Sequence, residues 1–314
     1  MLYIHFQKLI SQSQDLARRV KCVVINRWYE NIHALRATLN PTIGVTKNKR
    51  QQELIVSLTT IPERIGKVHL CIESLLRQSV KPDRLILWLS ETSEPGRPQV
   101  NKDALPFKLI RLQRRGLEIR WCKDIRSFRK IIPALRLFPK ALVVTSDDDV
   151  FYPKTWLENL YQAYLQEPEF IHCHRAHLVN YGPTGIALPY VQWNICAPGI
   201  VGPSQDIFPT GVGGVLYAPG HLHPDVLNED VFLNLCPTAD DVWLKTMSLI
   251  MNVKCKKVKP EIICYVEIRI ANNRVLSHHN VNSNGNDLQI SRVSQRYNVF
   301  TKKKALFESD VASV

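Results

Sequence analysis

The sequence predicts an α/β fold, a mostly parallel twisted sheet flanked by helices. Three observations point to it. Apolar runs of strand length alternate with segments whose apolar residues recur at helical spacing. The links between them are short. Pro, Gly and Asp gather at the ends of the apolar runs, where turns and helix starts fall.

The elements follow in order. "ELIVSLTT" (53–60) is a buried strand that stops before Pro62. "GKVHLCIESLLRQS" (66–79) places Val68, Ile72, Leu75 and Leu76 on one helical face. "PDRLILWLSE" (82–91) is the second strand, followed by a Pro- and Gly-containing loop from Thr92 to Gln99. "GLEIRW" (116–121) is the third, and "RSFRKIIPALRLF" (126–138) a helix interrupted at Pro133. "KALVVTS" (140–146) is the fourth strand and "TWLENLYQAYLQ" (155–166) the next helix. Beyond it, "FIHCHRAH" (170–177) reads as a strand, and residues 178–210 are rich in Pro, Gly and aromatics. "GVGGVLYAPG" (211–220) is a Gly-flanked strand, "PTADDVWLKTMSLIMNV" (237–253) a helix and "KCKKV" (254–258) a short strand. Three regions emerge: a basic helical N-terminal extension (1–50), a main domain (51–275) and a polar C-terminal tail (276–314).

The composition, 45% hydrophobic and 22% charged over 314 residues, excludes wholesale disorder. The net charge of +13 is uneven. Residues 1–50 hold nine Lys/Arg against two Asp/Glu, and residues 101–130 hold ten against three. Such an excess favours anionic partners: nucleic acid, acidic lipid headgroups or phosphorylated substrates. Eight cysteines without a CxxC pair read as reduced thiols of a cytoplasmic protein. The longest apolar runs, such as Leu85–Leu89, are too short to span a bilayer. Ile4, Leu9, Leu16, Val20, Val23 and Trp28 recur at roughly helical spacing between basic residues. That pattern suits either a helix packed on the domain or an amphipathic helix at the inner face of the plasma membrane.

"VVTSDDDVFYP" (143–153) is the densest chemical signal. Asp is common in turns and at helix starts, so one of the three needs no function. Three adjacent carboxylates repel, and partial burial raises the cost. A bound divalent cation removes it, because hard cations take carboxylate oxygens. In an open sheet ligands sit at the carboxyl ends of strands, where Asp147, Asp148 and Asp149 fall. Asp147 and Asp149, flanking Asp148, can point the same way in an extended loop.

An apolar strand, then Asp-x-Asp, then an aromatic and Pro resembles the signature of GT-A-fold glycosyltransferases, in particular the family 2-like enzymes of bacterial surface-polysaccharide synthesis. "VSLTTIPER" (56–64) is similar to their first strand and nucleotide loop, and "SLLRQSVKPDRLILWLSE" (74–91) to the helix and strand that follow. "GVGGVLYAPG" resembles the acceptor-side strand, and "CPTADDVW" (236–243) the late acidic motif. The resemblance covers roughly residues 53–260 and implies a GT-A glycosyltransferase domain. It implies Mn²⁺ or Mg²⁺ on Asp149, with Asp147 on the donor's ribose or in the metal's shell and Asp148 supporting both. It implies donor contacts from Thr59, Thr60, Pro62, Arg64 and Lys130, and a general base at Asp241 with Asp240 as its neighbour. A late histidine completes the metal shell in some of these enzymes, which would fall to His278 or His279. The implied partners are a nucleotide-sugar donor, UDP-sugar favoured, and a glycan or lipid-linked acceptor.

Each assignment has a plainer rival. "TADD" (238–241) matches a capping box in which Thr238 caps a helix and Asp241 reaches back. Arg64 and Lys130 suit a diphosphate, a base or plain surface. His172, Cys173, His174 and His177 are zinc-type ligands, but strand alternation sets Cys173 opposite His172 and His174. "SHH" (277–279) also suits a surface turn. Two other classes compete: a sugar-phosphate nucleotidyltransferase of related fold, and a basic nucleic-acid binder. The first expects a Gly-rich phosphate loop where "TTIPERIGK" has one Gly. For the second no motif is visible, and aspartates in a cleft repel phosphate.

Overall fold

A computed structural model describes residues 42–48, 50–92, 98–262, 265–268 and 284–302, together with residues 24, 27–33 and 35 in a helix. His278 and His279, and most of the N-terminal extension, lie outside the described residues. In chain order the first elements are β1 (Leu54–Thr59), α1 (Val68–Leu75), β2 (Arg84–Ser90), α2 (Phe107–Gln113), β3 (Leu117–Cys122) and α3 (Ile132–Leu137). β4 (Leu142–Thr145), β5 (Val150–Phe151), α4 (Trp156–Gln166), β6 (Ile171–Cys173), β7 (Ala176–Leu178), β8 (Ile207–Pro209) and β9 (Val215–Tyr217) follow. The last are α5 (Glu229–Leu235), α6 (Asp240–Ile250), β10 (Cys255–Lys257), β11 (Val266–Glu267) and α7 (Gly285–Tyr297).

The fold is mixed α/β, with a main sheet of seven strands flanked by helices. Parallel pairs join β1 to β2, β2 to β3 and β6 to β10, while β9 runs antiparallel to β4 and β6. The chain forms two compact units: residues 1–124, 147–159 and 264–273 make the first, and residues 125–146, 160–263 and 274–314 the second.

In the first unit β1, β2 and β3 lie in that order. "LIVSL" and "LILWLS" are buried at every position, the pattern of parallel strands covered on both faces. Helix α2 lies in the basic stretch and was not expected from the sequence. Only Leu109 and Leu112 of its seven residues are buried, and Phe107 is exposed, so its apolar stripe is too thin to stand out. The ribbon β5–β11 pairs Val150 with Glu267 and Phe151 with Val266.

In the second unit the strand order is β10-β6-β9-β4. Phe128 stacks on Phe232 with ring centroids 4.1 Å apart, and Phe232 and Trp243 are fully buried. The predicted helix 126–138 is two pieces: a 3-10 turn at Arg126–Lys130, then α3 with Pro133 in its first turn, where a missing N–H costs nothing. "FIHCHRAH" is likewise two strands, β6 and β7, and β7 pairs with β8. "GVGGVLYAPG" opens as a 3-10 turn (Gly211–Gly213) before β9.

The segment read as a polar tail holds α7. Of its aliphatic residues Ile290 and Val293 are buried and Leu288 is exposed. Polar contacts complete the docking: Gln289 accepts the Thr238 N–H and donates to the Thr238 hydroxyl, both at 3.0 Å. Tyr297 meets Trp243 edge-on and donates to Asp225 at 2.9 Å.

Candidate active site

The first unit gathers the carboxylate loop at the carboxyl end of β1. Asp148 is buried, whereas Asp147 and Asp149 keep part of their surface open. Thr60 donates to Asp148 Oδ2 at 2.5 Å, and Arg64 donates to Asp148 Oδ1 at 2.6 Å. The same guanidinium nitrogen lies 2.9 Å from Asp149 Oδ2. Arg64 therefore turns inward from the 3-10 turn Pro62–Arg64, whose start Pro62 pre-sets. Thr59 donates to the Trp88 carbonyl at 2.9 Å, which ties β1 to β2.

The loop backbone is fixed from several sides. Tyr152 Oη accepts the Asp147 N–H at 2.8 Å, and Cys71 Sγ donates to the Asp147 carbonyl at 3.2 Å. Ser74 Oγ accepts the Tyr152 N–H, and the Ile268 N–H donates to the Asp149 carbonyl at 2.6 Å. Cys71, Ser74 and Glu267 were not legible as members of this cluster, because they reach it from α1 and β11; the aromatic Tyr152 was visible in the motif, but not its bond to the Asp147 N–H. Burial keeps the Cys71 thiol and the Tyr152 phenol protonated, so both remain donors.

Charge is out of balance here. Burial first, then Asp147 and Asp148, push the Asp149 carboxyl up to about 7, and Arg64 opposes the rise only in part. Burial also raises Asp148 against the pull of Arg64 and Thr60. Arg64 is itself held above its ordinary value, since Asp148 and Asp149 outweigh its own desolvation. One guanidinium thus faces three carboxylates, with Glu267 adding to the negative side.

Among the described residues no three His, Cys, Asp or Glu side chains form a ready metal cage. The donor set still fits Mn²⁺ or Mg²⁺. Hard cations of this kind are commonly held by one or two carboxylates, with substrate phosphates and water filling the remaining positions. Asp149 and Asp147, both partly open, are oxygen donors of that sort.

Also within the first unit, a cavity of about 500 Å³ opens at the carboxyl ends of β2 and β3. Glu91, Gln99, Val100, Asn101, Lys102 and Trp121 line it. Lys102 Nζ stands 5.7 Å from the Trp121 ring centre.

The second unit carries the other acidic pair. Lys130 lies 2.8 Å from Asp240 Oδ2, with both side chains buried. Lys130 is therefore committed to a carboxylate, and the same contact accounts for Asp240. Asp241 departs from the capping-box expectation. The α6 N-cap is Ala239, with no side-chain bond, because Thr238 is engaged by Gln289. Both Asp241 oxygens instead accept the Gly211 N–H at 3.1 Å. The Gly-rich turn makes this possible. A Cβ on Gly213 would come within 2.5 Å of Arg175, and Gly214 turns into β9 at φ 89°. Asp241 is half-buried at the N-terminus of α6, where the helix dipole favours its ionised form.

Removing one partner of the buried Lys130–Asp240 pair should be costly. Lys130→Met is expected to destabilise the protein by about 3–5 kcal/mol, and Lys130→Met with Asp240→Leu by much less. Urea denaturation measures both; equal losses would mean the pair is not coupled.

His172 and His177 make contacts within the fold. His172 Nε2 bonds the Glu167 carbonyl at 2.8 Å, and His177 Nδ1 accepts the Cys196 N–H at 2.9 Å. Cys173 is buried in β6 beside β10. All six cysteines among the described residues are free thiols.

No protein-family model matches the chain, and no curated protein matches it. Among solved structures it is similar to a CMP:2-keto-3-deoxy-manno-octonic acid synthetase complexed with CTP. That match has a TM-score of 0.39 and 12% identity, and covers 68% of this chain and 91% of the other. It is also similar to the mannosyltransferase PcManGT from Pyrobaculum calidifontis in complex with GDP-Man and Mn²⁺. Here the TM-score is 0.46 and the identity 12%, with 88% of this chain and 74% of the other covered. No helix among the described residues is long and apolar enough to cross a membrane.

Proposed function

We propose that the protein is a metal-dependent glycosyltransferase that moves a sugar from a nucleotide-diphosphate sugar to a hydroxyl of a glycan or lipid-linked glycan. The observation that supports this most is the crowding of three adjacent carboxylates at the carboxyl end of β1, where burial and the neighbouring aspartates push Asp149 up to about 7. A fold that only needed a turn there would not bury Asp148 against an arginine between two further aspartates.

Asp149, helped by Asp147, would hold Mn²⁺ or Mg²⁺. A divalent cation at that place offsets negative charge on a leaving diphosphate. Asp148, pinned by Thr60 and Arg64, positions its two neighbours. Trp121 offers an aromatic face and Lys102 a cation for the nucleotide portion of the donor, with UDP favoured. The acceptor reading is a glycan of the lipopolysaccharide or capsule type.

Asp241 is the candidate general base. It is partly open and oriented by the Gly211 N–H. In this role it takes the acceptor's proton as the hydroxyl attacks, and the anomeric centre inverts. Asp240 stays with Lys130 and fixes the start of α6. Asp241→Asn is expected to lower kcat by about 10²–10⁴-fold with little change in donor affinity. A normal kcat would remove Asp241 from the chemistry.

The deciding experiment is a thermal-shift screen of nucleotide sugars with and without Mn²⁺. Stabilisation by one nucleotide sugar that requires Mn²⁺ supports the transferase and names its donor. Stabilisation only by a nucleoside triphosphate, with pyrophosphate released from it and a sugar phosphate, would replace the transferase by a nucleotidyltransferase. Tight binding of oligonucleotides without any donor response would overturn both.

A further inference from the structure

The helical segment that includes residues 27–33 has two unlike faces. One packs on the first unit: His33 stacks on Phe151 with ring centres 5.1 Å apart, and Tyr29 lies 5.2 Å from the same ring. Glu30 pairs with Lys67 at 3.0 Å. The other face carries Val24, Trp28 and Leu35, which are 62%, 57% and 57% exposed. At 3.6 residues per turn these three fall within about 40° of one another around the helix, roughly opposite His33. An apolar stripe containing a tryptophan is thus turned to solvent on a helix already anchored by its other side.

The surrounding charge says what covers it. Residues 1–50 carry nine Lys/Arg and two Asp/Glu, and Arg27 is exposed on the same helix. A second copy of this chain would bring an equally basic segment against the first and repel it. An anionic lipid surface attracts it, and Trp is the side chain that favours the interface between headgroups and hydrocarbon.

We infer that Val24, Trp28 and Leu35 form a docking face that lies in the interface of an anionic lipid bilayer, with the basic residues of the segment on the headgroups. The face stands apart from the transferase reading, since neither donor nor metal takes part in it. Its position matters all the same. Phe151, on which the helix rests, comes two residues after Asp149, so docking would hold the carboxylate loop close to a lipid surface.

Vesicle co-sedimentation of the full chain tests it, with no activity measured. Vesicles containing phosphatidylglycerol are expected to bind the protein, pure phosphatidylcholine far less, and added salt should weaken the binding. Val24→Asp combined with Leu35→Asp should lower binding at least about tenfold while the thermal midpoint stays unchanged. Brominated lipid should quench fluorescence in the native chain more than in Trp28→Phe, because Trp88, Trp156, Trp193 and Trp243 are buried and Trp121 is half-buried in the cavity. Absent binding, equal binding to both lipids, or full binding by the double variant would overturn the inference. So would a concentration-dependent dimer that the double variant abolishes, which would make a second copy the occupant.

Discussion

Asp149→Asn is expected to make the metal-free protein more stable near pH 8 while abolishing its response to Mn²⁺. The two effects have one cause. Burial and the neighbouring aspartates raise the folded-state Asp149 carboxyl to about 7, against about 3.9 in an unfolded chain. A raised acid contributes its stability below the unfolded value and loses it as pH climbs toward the folded one. Native protein in EDTA should therefore lose on the order of 2–4 kcal/mol between about pH 4 and pH 7 through this group. The amide stays neutral throughout, so its curve should be flatter and cross above the native curve. Metal affinity should rise over the same window, since proton and cation compete for one carboxylate. Thermal midpoints from pH 4 to pH 8, with EDTA and with Mn²⁺, measure all of this. Coincident native and variant curves, or an unchanged Mn²⁺ shift in Asp149→Asn, would remove Asp149 from the metal site. A protein that gains stability on losing its activity is the usual mark of a strained functional group.

Arg64→Gln should act in the opposite direction. Its guanidinium reaches Asp148 at 2.6 Å and Asp149 at 2.9 Å, with little solvent access on the Asp148 side. Stripping a buried carboxylate of its partner costs about 3–5 kcal/mol. The metal-free thermal midpoint should fall accordingly, and Mn²⁺ should restore more of it than it adds to the native protein, because a cation now carries the compensation alone. Arg64→Lys should fall between, since it keeps the charge on a shorter side chain without the planar donor geometry. A metal-free midpoint equal to the native one would show that Arg64 does not hold this cluster. The sequence left Arg64 as a contact for a diphosphate or a base, or as plain surface; the structure pairs it with Asp148 and Asp149.

Much of the fold was legible because burial on both faces leaves continuous apolar runs. β1, β2 and β4 announce themselves in "LIVSL", "LILWL" and "LVVT". The carboxylate loop was legible for the reverse reason, as three charges where a buried strand ends. Elements held by few apolar residues were not. α2 buries two side chains, and α7 docks through Gln289 and Tyr297 as much as through Ile290 and Val293. Local patterns also misled where a distant partner won. Thr238 has the sequence of a cap, but Gln289 takes it, and Asp241 turns to Gly211. Such contacts join residues far apart along the chain, and spacing within a motif carries no trace of them.

The ribbon β5–β11 has a consequence for how the protein is made. On the ribosome, Asp147–Asp149 leave the exit tunnel well before Val266 and Glu267, which pair with Phe151 and Val150, and before Ile268, which donates to the Asp149 carbonyl. Until that strand arrives, the loop lacks the Ile268 N–H on the Asp149 carbonyl and the ribbon partner of Val150 and Phe151. The last hold on the loop's backbone is then a late product of biosynthesis. A nascent or truncated chain ending before residue 266 would present the three carboxylates without that hold and without the added negative charge of Glu267.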